Sequence, residues 1–149
     1  MKKHEKFMNE ALKEAKKAYL INEVPVVCVI VFDDKIIARA HNKREINGST
    51  LAHAEILAIT KANKKLSSWR LEDCDLYVTL EPCLMCMGAI IQARMKNVYF
   101  GANDPKSGAL GGSFNVLENN FNHQLEVNKG ILKEESKELL KEFFKKLRK

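Results

Sequence analysis

The chain has 149 residues, 46% of them apolar and 30% charged, which fits one domain over 1–149 and excludes a largely disordered chain. Its four cysteines are too few and too unevenly spaced for a disulfide framework. The charged N-terminus lacks the apolar core of a signal peptide, and no apolar run approaches the roughly 18 residues of a membrane span, so a cytoplasmic protein with reduced thiols and no membrane partner is expected. The net charge of +6 lies at the two ends: residues 1–17 and 131–149 carry +3 each, and 18–130 is neutral. A localised basic excess suits a polyanion, because each phosphate contact releases condensed counterions. Lysine-rich helices that are only solvated surface are the plain alternative.

Residues 4–19 place Phe7, Met8, Ala11, Leu12, Ala15, Ala18 and Tyr19 on one stripe at helical spacing. Residues 24–32 are a nearly continuous apolar run, the pattern of a strand covered on both faces. A turn at Asp33, Asp34 and Lys35 leads into a second strand over 36–40, a β-hairpin. The polar stretch 41–50, with its Asn-Gly pair, reads as a loop. A helix follows over 52–65 and a strand over 75–79. Pro82 is placed to open the next helix at its first-turn position, and that helix runs to about Arg94 before a strand over 97–100. After a small-residue loop come a short helical stretch over 114–121, a strand over 124–128 and an amphipathic helix over 133–147. The helical crossovers make the later strands parallel, whereas the hairpin is antiparallel. The sheet is therefore mixed, in an α/β sandwich.

Two segments carry chemistry, His53-Ala54-Glu55 and Pro82-Cys83-Leu84-Met85-Cys86, each at the start of a predicted helix. Cysteines at i and i+3 share a helix face, and in the first turn they meet the positive end of the helix dipole. That field favours thiolate, the form that binds zinc. One imidazole and two thiolates leave an open fourth position, the pattern of a catalytic rather than a closed structural zinc. A structural site with four protein ligands is the rival. Cys28 and Cys74 lie in or beside apolar strands with no evident route to the metal, and His4, His41 and His123 read as lone surface or loop histidines. Glu55 stands beside the metal as a carboxylate able to move a proton from bound water to a substrate. An exposed glutamate serving the helix dipole is its plainer role.

His-x-Glu followed by Pro-Cys-x-x-Cys is the signature of the zinc-dependent nucleobase deaminases, and the chain resembles them. More narrowly it is similar to the bacterial tRNA-specific adenosine deaminases, which convert the wobble adenosine of an anticodon to inosine. The resemblance covers nearly the whole length: EVPV at 23–26, Asn42 in HNKR, AHAEILA from Ala52, LYVTLEPCLMC from Leu76, GANDPKSGA from Gly101, NHQLEVNKGIL from Asn122 and the LLKEFFKKLR tail. It implies a cytidine deaminase-like fold, a three-layer α/β/α sandwich on a five-stranded mixed sheet. It implies zinc on His53, Cys83 and Cys86, with Glu55 as the proton shuttle while hydroxide attacks C6 of adenine, N1 is protonated and ammonia leaves. Asn42 would hydrogen-bond the flipped base, and Asp104 the sugar region of the target nucleotide. Lys106, Phe144 and Arg148 join them as RNA contacts. A tRNA anticodon stem-loop as substrate, a homodimer and no nucleotide cofactor are implied as well. Where the family has Gly-Ala, this chain has Val27 and Cys28, residues large enough to narrow the nucleobase pocket. Leu51 precedes Ala52 where Thr is usual, and Met87 replaces a small residue.

In the last helix Lys133, Lys137, Lys141 and Lys145 recur every four residues, a stripe that drifts only about 40° per step. Apolar periodicity needs only one of Phe143 and Phe144 in the core with Leu139, Leu140 and Leu147, and leaves the other to stack on an unpaired base. Both rings buried is the plainer reading. Apart from the tRNA enzyme, two functions fit the motifs: a deaminase of a free base or nucleotide of guanine or cytosine type, and a non-catalytic zinc-stabilised RNA-binding module. The first needs neither the terminal charge nor the GANDPKSGA loop. The second needs no Glu55.

Overall fold

In the computed structural model, which describes residues 2–147, the apolar stripe of the first helix, α1 (Lys2–Leu20), is turned onto a sheet. Phe7, Met8, Ala11, Leu12, Ala15 and Ala18 are all buried. The hairpin β1 (Val27–Phe32) and β2 (Lys35–His41) follows. Its two-residue turn holds Asp33 and Asp34 at φ of 53° and 60°, the left-handed pair that matches strand twist. Then come a four-residue helix α2 (Arg44–Asn47), α3 (Ala54–Leu66), β3 (Cys74–Leu80), α4 (Leu84–Gln92), β4 (Asn97–Ala102), a 3₁₀ turn (Val116–Glu118), β5 (Glu126–Lys129) and α5 (Lys133–Leu147). The strand order is β2-β1-β3-β4-β5. β1 is antiparallel to both neighbours, and β3, β4 and β5 are parallel. This is the five-stranded mixed α/β fold that the resemblance implies.

The continuous apolar run of β1 is explained by its two covers. Val27, Val29 and Val31 pack with Phe7 and Met8 of α1, whereas Cys28 and Ile30 pack with Ala54 and Ala58 of α3 and with Met87 and Ile90 of α4. Helices α1 and α5 lie on one face of the sheet and α3 and α4 on the other, giving three layers. Among the described residues no helix is long and apolar enough to cross a membrane.

Several expectations are corrected. The stretch 41–50 is not all loop, because α2 forms there and closes on Gly48 in the left-handed conformation. Pro82 does not open a helix: Cys83 is the N-cap of α4, and Pro82 lies one residue outside it. The helical stretch over 114–121 shrinks to one 3₁₀ turn. In α5 the rings divide, with Phe143 1% exposed and Phe144 47% exposed, so the reading with both buried does not hold. Leu147 is 58% exposed and no part of the core, because the last turn of α5 runs past its cover.

Hydrogen bonds between segments gather three of them at one end of the sheet. Thr79 Oγ1 accepts from Val27 N (3.1 Å), tying the start of β1 to the end of β3. Val26 O accepts from Asn42 N (3.1 Å), and Ala52 O from Lys43 N (2.9 Å). Asn42, His53 and Cys83 are thereby carried by neighbouring loop ends.

Candidate metal centre and substrate loop

His53 is the N-cap of α3 and Cys83 the N-cap of α4, both in extended conformation, while Cys86 lies in the first turn of α4. Two helix N-termini therefore deliver all three side chains. His53 Nδ1 is 3.8 Å from Cys83 Sγ and 3.6 Å from Cys86 Sγ, and the three donor atoms lie within 4.8 Å of one another. Tetrahedral zinc with bonds of about 2.3 Å to sulfur and about 2.0–2.1 Å to nitrogen separates those atoms by about 3.6 Å. The side chains are preset at the spacing that such an ion requires, so this group fits a metal ion. Among the described residues no other His, Cys, Asp or Glu completes the cluster. That leaves one tetrahedral corner without a protein donor.

The two thiols are coupled. A hydrogen bond from Cys86, helped by the N–H groups of Cys86 and Met85 at the helix start, brings Cys83 down to about 5 against the opposing effect of burial. The same bond, with burial, pushes Cys86 up. Glu55 is in the first turn of α3 and only 4% exposed. Burial raises its carboxyl to about 7, opposed by hydrogen bonds from its own backbone and from Cys86. This removes the plainer role of an exposed glutamate. Cys28 is fully buried on the same side of the sheet, and burial together with the Glu55 charge keeps its thiol protonated. Of the two bulky residues, only Cys28 faces this layer, because Val27 points to α1.

The remaining candidates differ in what they have to offer. Asn42 Oδ1 accepts from Arg44 N (3.0 Å), and no hydrogen bond occupies its Nδ2 among the described residues, which leaves a donor. Asp104 is a turn residue: its Oδ1 accepts from Lys106 N (3.1 Å) and Ser107 N (3.2 Å), leaving Oδ2 without a donor among the described residues. Lys106 and Phe144 are exposed. Arg148 lies outside the described residues. The structure adds Glu81, not singled out by the sequence reading. Its buried carboxylate accepts three backbone N–H groups of the loop that carries Asp104 and Lys106. The signal was present as an acidic residue closing an apolar strand ahead of a glycine-rich loop.

Comparison with known proteins accords with this geometry. Residues 2–148 match the MafB19-like deaminase family. A tRNA-specific adenosine deaminase of Bacillus subtilis is 53% identical over all of this chain and 93% of its own length. One of Aquifex aeolicus is 48% identical over 97% of this chain and 95% of its own length. A solved structure from work on A-to-I editing by tRNA deaminases at the wobble position superposes with a TM-score of 0.84 at 42% identity, covering 90% of this chain and 98% of the other. A guanine deaminase structure from Nitrosomonas europaea reaches 0.76 at 25% identity, covering 91% and 81%. The chain belongs to the MafB19-like deaminase family, alongside relatives named tRNA-specific adenosine deaminase.

Proposed function

We propose that the chain hydrolyses adenosine to inosine at the wobble position of a tRNA anticodon, using zinc on His53, Cys83 and Cys86. The carrying observation is three donor atoms set for one ion beside the buried carboxyl of Glu55, in a chain 53% identical to a tRNA-specific adenosine deaminase. A zinc ion held by His53, Cys83 and Cys86 would supply acidification of a water molecule, from a pKa of about 15.7 toward about 7. Glu55 takes the proton from the attacking water and passes it to N1 of adenine as oxygen adds to C6. The C6–N6 bond then breaks as Glu55 relays the proton of the new C6 hydroxyl to the leaving nitrogen, so that C6=O forms and ammonia departs. A carboxyl held near 7 is matched to accepting and donating in turn. Asn42 Nδ2 donates to the flipped base, while Asp104 Oδ2 accepts from the 2′-hydroxyl, the group that marks RNA.

The test is inosine formation by zinc-loaded protein on an anticodon stem-loop with adenosine at the wobble position, run beside free adenine, guanine and cytosine. Conversion of the stem-loop adenosine is expected. Turnover of a free base with the stem-loop left intact would replace this reading with the free-base one.

A further inference from the structure

Glu81 closes the gap between the end of β3 (Leu80) and the Pro82-Cys83 segment, and its side chain is 3% exposed. A buried carboxylate needs a cation or several donors to offset its lost hydration. Among the described residues no cation pairs with it. Three backbone N–H groups do so instead: Asp104 N on Oε1 (2.9 Å), and Leu110 N and Gly112 N on Oε2 (2.8 Å each). These are charge-assisted bonds at short range, and they come from both ends of the loop 103–112.

The loop is shaped to this side chain. A Cβ at Gly108 or at Gly112 would collide with the Glu81 carboxylate and the Asp104 carbonyl. The main chain adds Glu81 N to Ala102 O and Ala109 N to Pro82 O (2.9 Å each), together with a bridge between Gly108 and Cys83. The loop is thus fastened to the segment that supplies a metal ligand. It leaves Lys106 exposed, and Asp104 Oδ2 without a hydrogen bond among the described residues.

We propose that Glu81 is a positioning residue for substrate: its carboxylate holds loop 103–112 in the one conformation in which Asp104 and Lys106 meet the RNA. The proposal rests on the deaminase reading above. Glu81→Gln keeps the volume but replaces an acceptor oxygen with an N–H₂ group, which would set donor against donor.

In the zinc-loaded full chain, amide exchange at Leu110 and Gly112 should quicken at least tenfold in Glu81→Gln, with Val78 and Phe100 in the sheet unchanged. KM for the stem-loop should rise at least tenfold, with kcat within threefold and one zinc per chain retained. Glu81→Asp, which keeps the charge on a shorter arm, should recover part of both effects. Unchanged exchange at Leu110 and Gly112 overturns the proposal. So does a KM within threefold of wild type, a loss confined to kcat or tracking lost zinc, or exchange that quickens across the whole sheet. Exchange is read without RNA, so a wild type inert on the stem-loop refutes the deaminase reading while the hold of Glu81 on its loop is still tested.

Discussion

Glu55 sits two residues after His53 at the start of α3, where a carboxylate would ordinarily face water and the helix dipole. Here it is buried, and the loss of hydration, helped by the nearby Cys83 charge, raises its carboxyl to about 7 against hydrogen bonds from its own backbone and Cys86. A group that served only the dipole would contribute about 0.3–1 kcal/mol to stability and nothing to turnover. A group that carries the proton contributes about 10²–10⁴ in rate. Glu55→Gln separates the two roles, since it keeps the shape and removes the base. The expected result is a fall in kcat of about 10²–10⁴ with zinc content and stem-loop affinity retained, read by single-turnover inosine formation and metal analysis. Full inosine formation by this variant would mean that Glu55 does not carry the proton, whereas RNA binding with no inosine formed even by the wild type would leave the chain as a zinc-stabilised RNA-binding module. The grouping of His53, Cys83 and Cys86 was legible because each sits at a helix start inside a motif that resembles the deaminases. Spacing joins Cys83 to Cys86 across one turn, but only the fold brings His53, thirty residues away, beside them. The side to which Val27 and Cys28 point was not legible, because a strand buried on both faces carries no polar alternation to mark one face from the other.

Among the elements, α5 approaches the sheet most closely where Ser136 crosses β4. A Cβ at Gly101 would lie 2.5 Å from Ser136 Oγ and 2.8 Å from Thr79 O, so the helix rests almost directly on the strand backbone. Ser136 Oγ is buried and has no hydrogen-bond partner among the described residues, which makes it a spacer by size and a liability by polarity. Gly101→Ala should cost about 1–3 kcal/mol by overpacking, whereas Ser136→Ala, which removes the orphaned hydroxyl, should be neutral or stabilising by about 1 kcal/mol. Chemical denaturation of the two variants checks the pair, and equal losses in both would refute this account of the contact. Helical periodicity foretold α5 and its bounds, and the stripe on α1 is buried as read except at Tyr19, which is half-buried. Periodicity could not show that Phe143 would pack edge-on to Tyr19 while Phe144 remained outside, since adjacent residues are only 100° apart on a helix and either fits the stripe. Tertiary packing made that choice. The helix expected over 114–121 is reduced to the turn that buries Val116, whereas α2 buries no residue and is closed locally at Gly48.

At the scale of the whole molecule, the basic excess at the C-terminal end is distributed by face. Lys133, Lys137, Lys141 and Lys145 form an exposed stripe along α5. The neighbouring flank carries Glu134, Glu135, Glu138 and Glu142, which with Lys16 and Leu139 line a groove of about 480 Å³ against α1. Lys146 belongs to neither stripe: it donates to Tyr19 O (3.0 Å) and lies over the Tyr19 ring, so it fastens α5 to the end of α1. Tyr19 in turn lies a few residues before Val26, whose carbonyl accepts from Asn42 N. The C-terminal half of α5, with exposed Phe144, is therefore tied to the end of α1, which leads toward the segment hydrogen-bonded to Asn42. Under the proposed function, an anticodon stem-loop approaching α5 would meet lysines on one flank and carboxylates on the other. Each phosphate neutralised steepens the fall of log affinity with log salt by about 0.7 on single strands and about 0.9 on duplex. Changing all four stripe lysines to Gln should flatten that slope by up to about 3, while changing Glu134, Glu138 and Glu142 to Gln should leave it nearly unaltered. Fluorescence anisotropy with a labelled stem-loop over a salt series measures both. A slope that survives loss of the four lysines would mean that α5 carries its charge as solvated surface, and that the RNA is held by the loops around Asn42 and Lys106 alone.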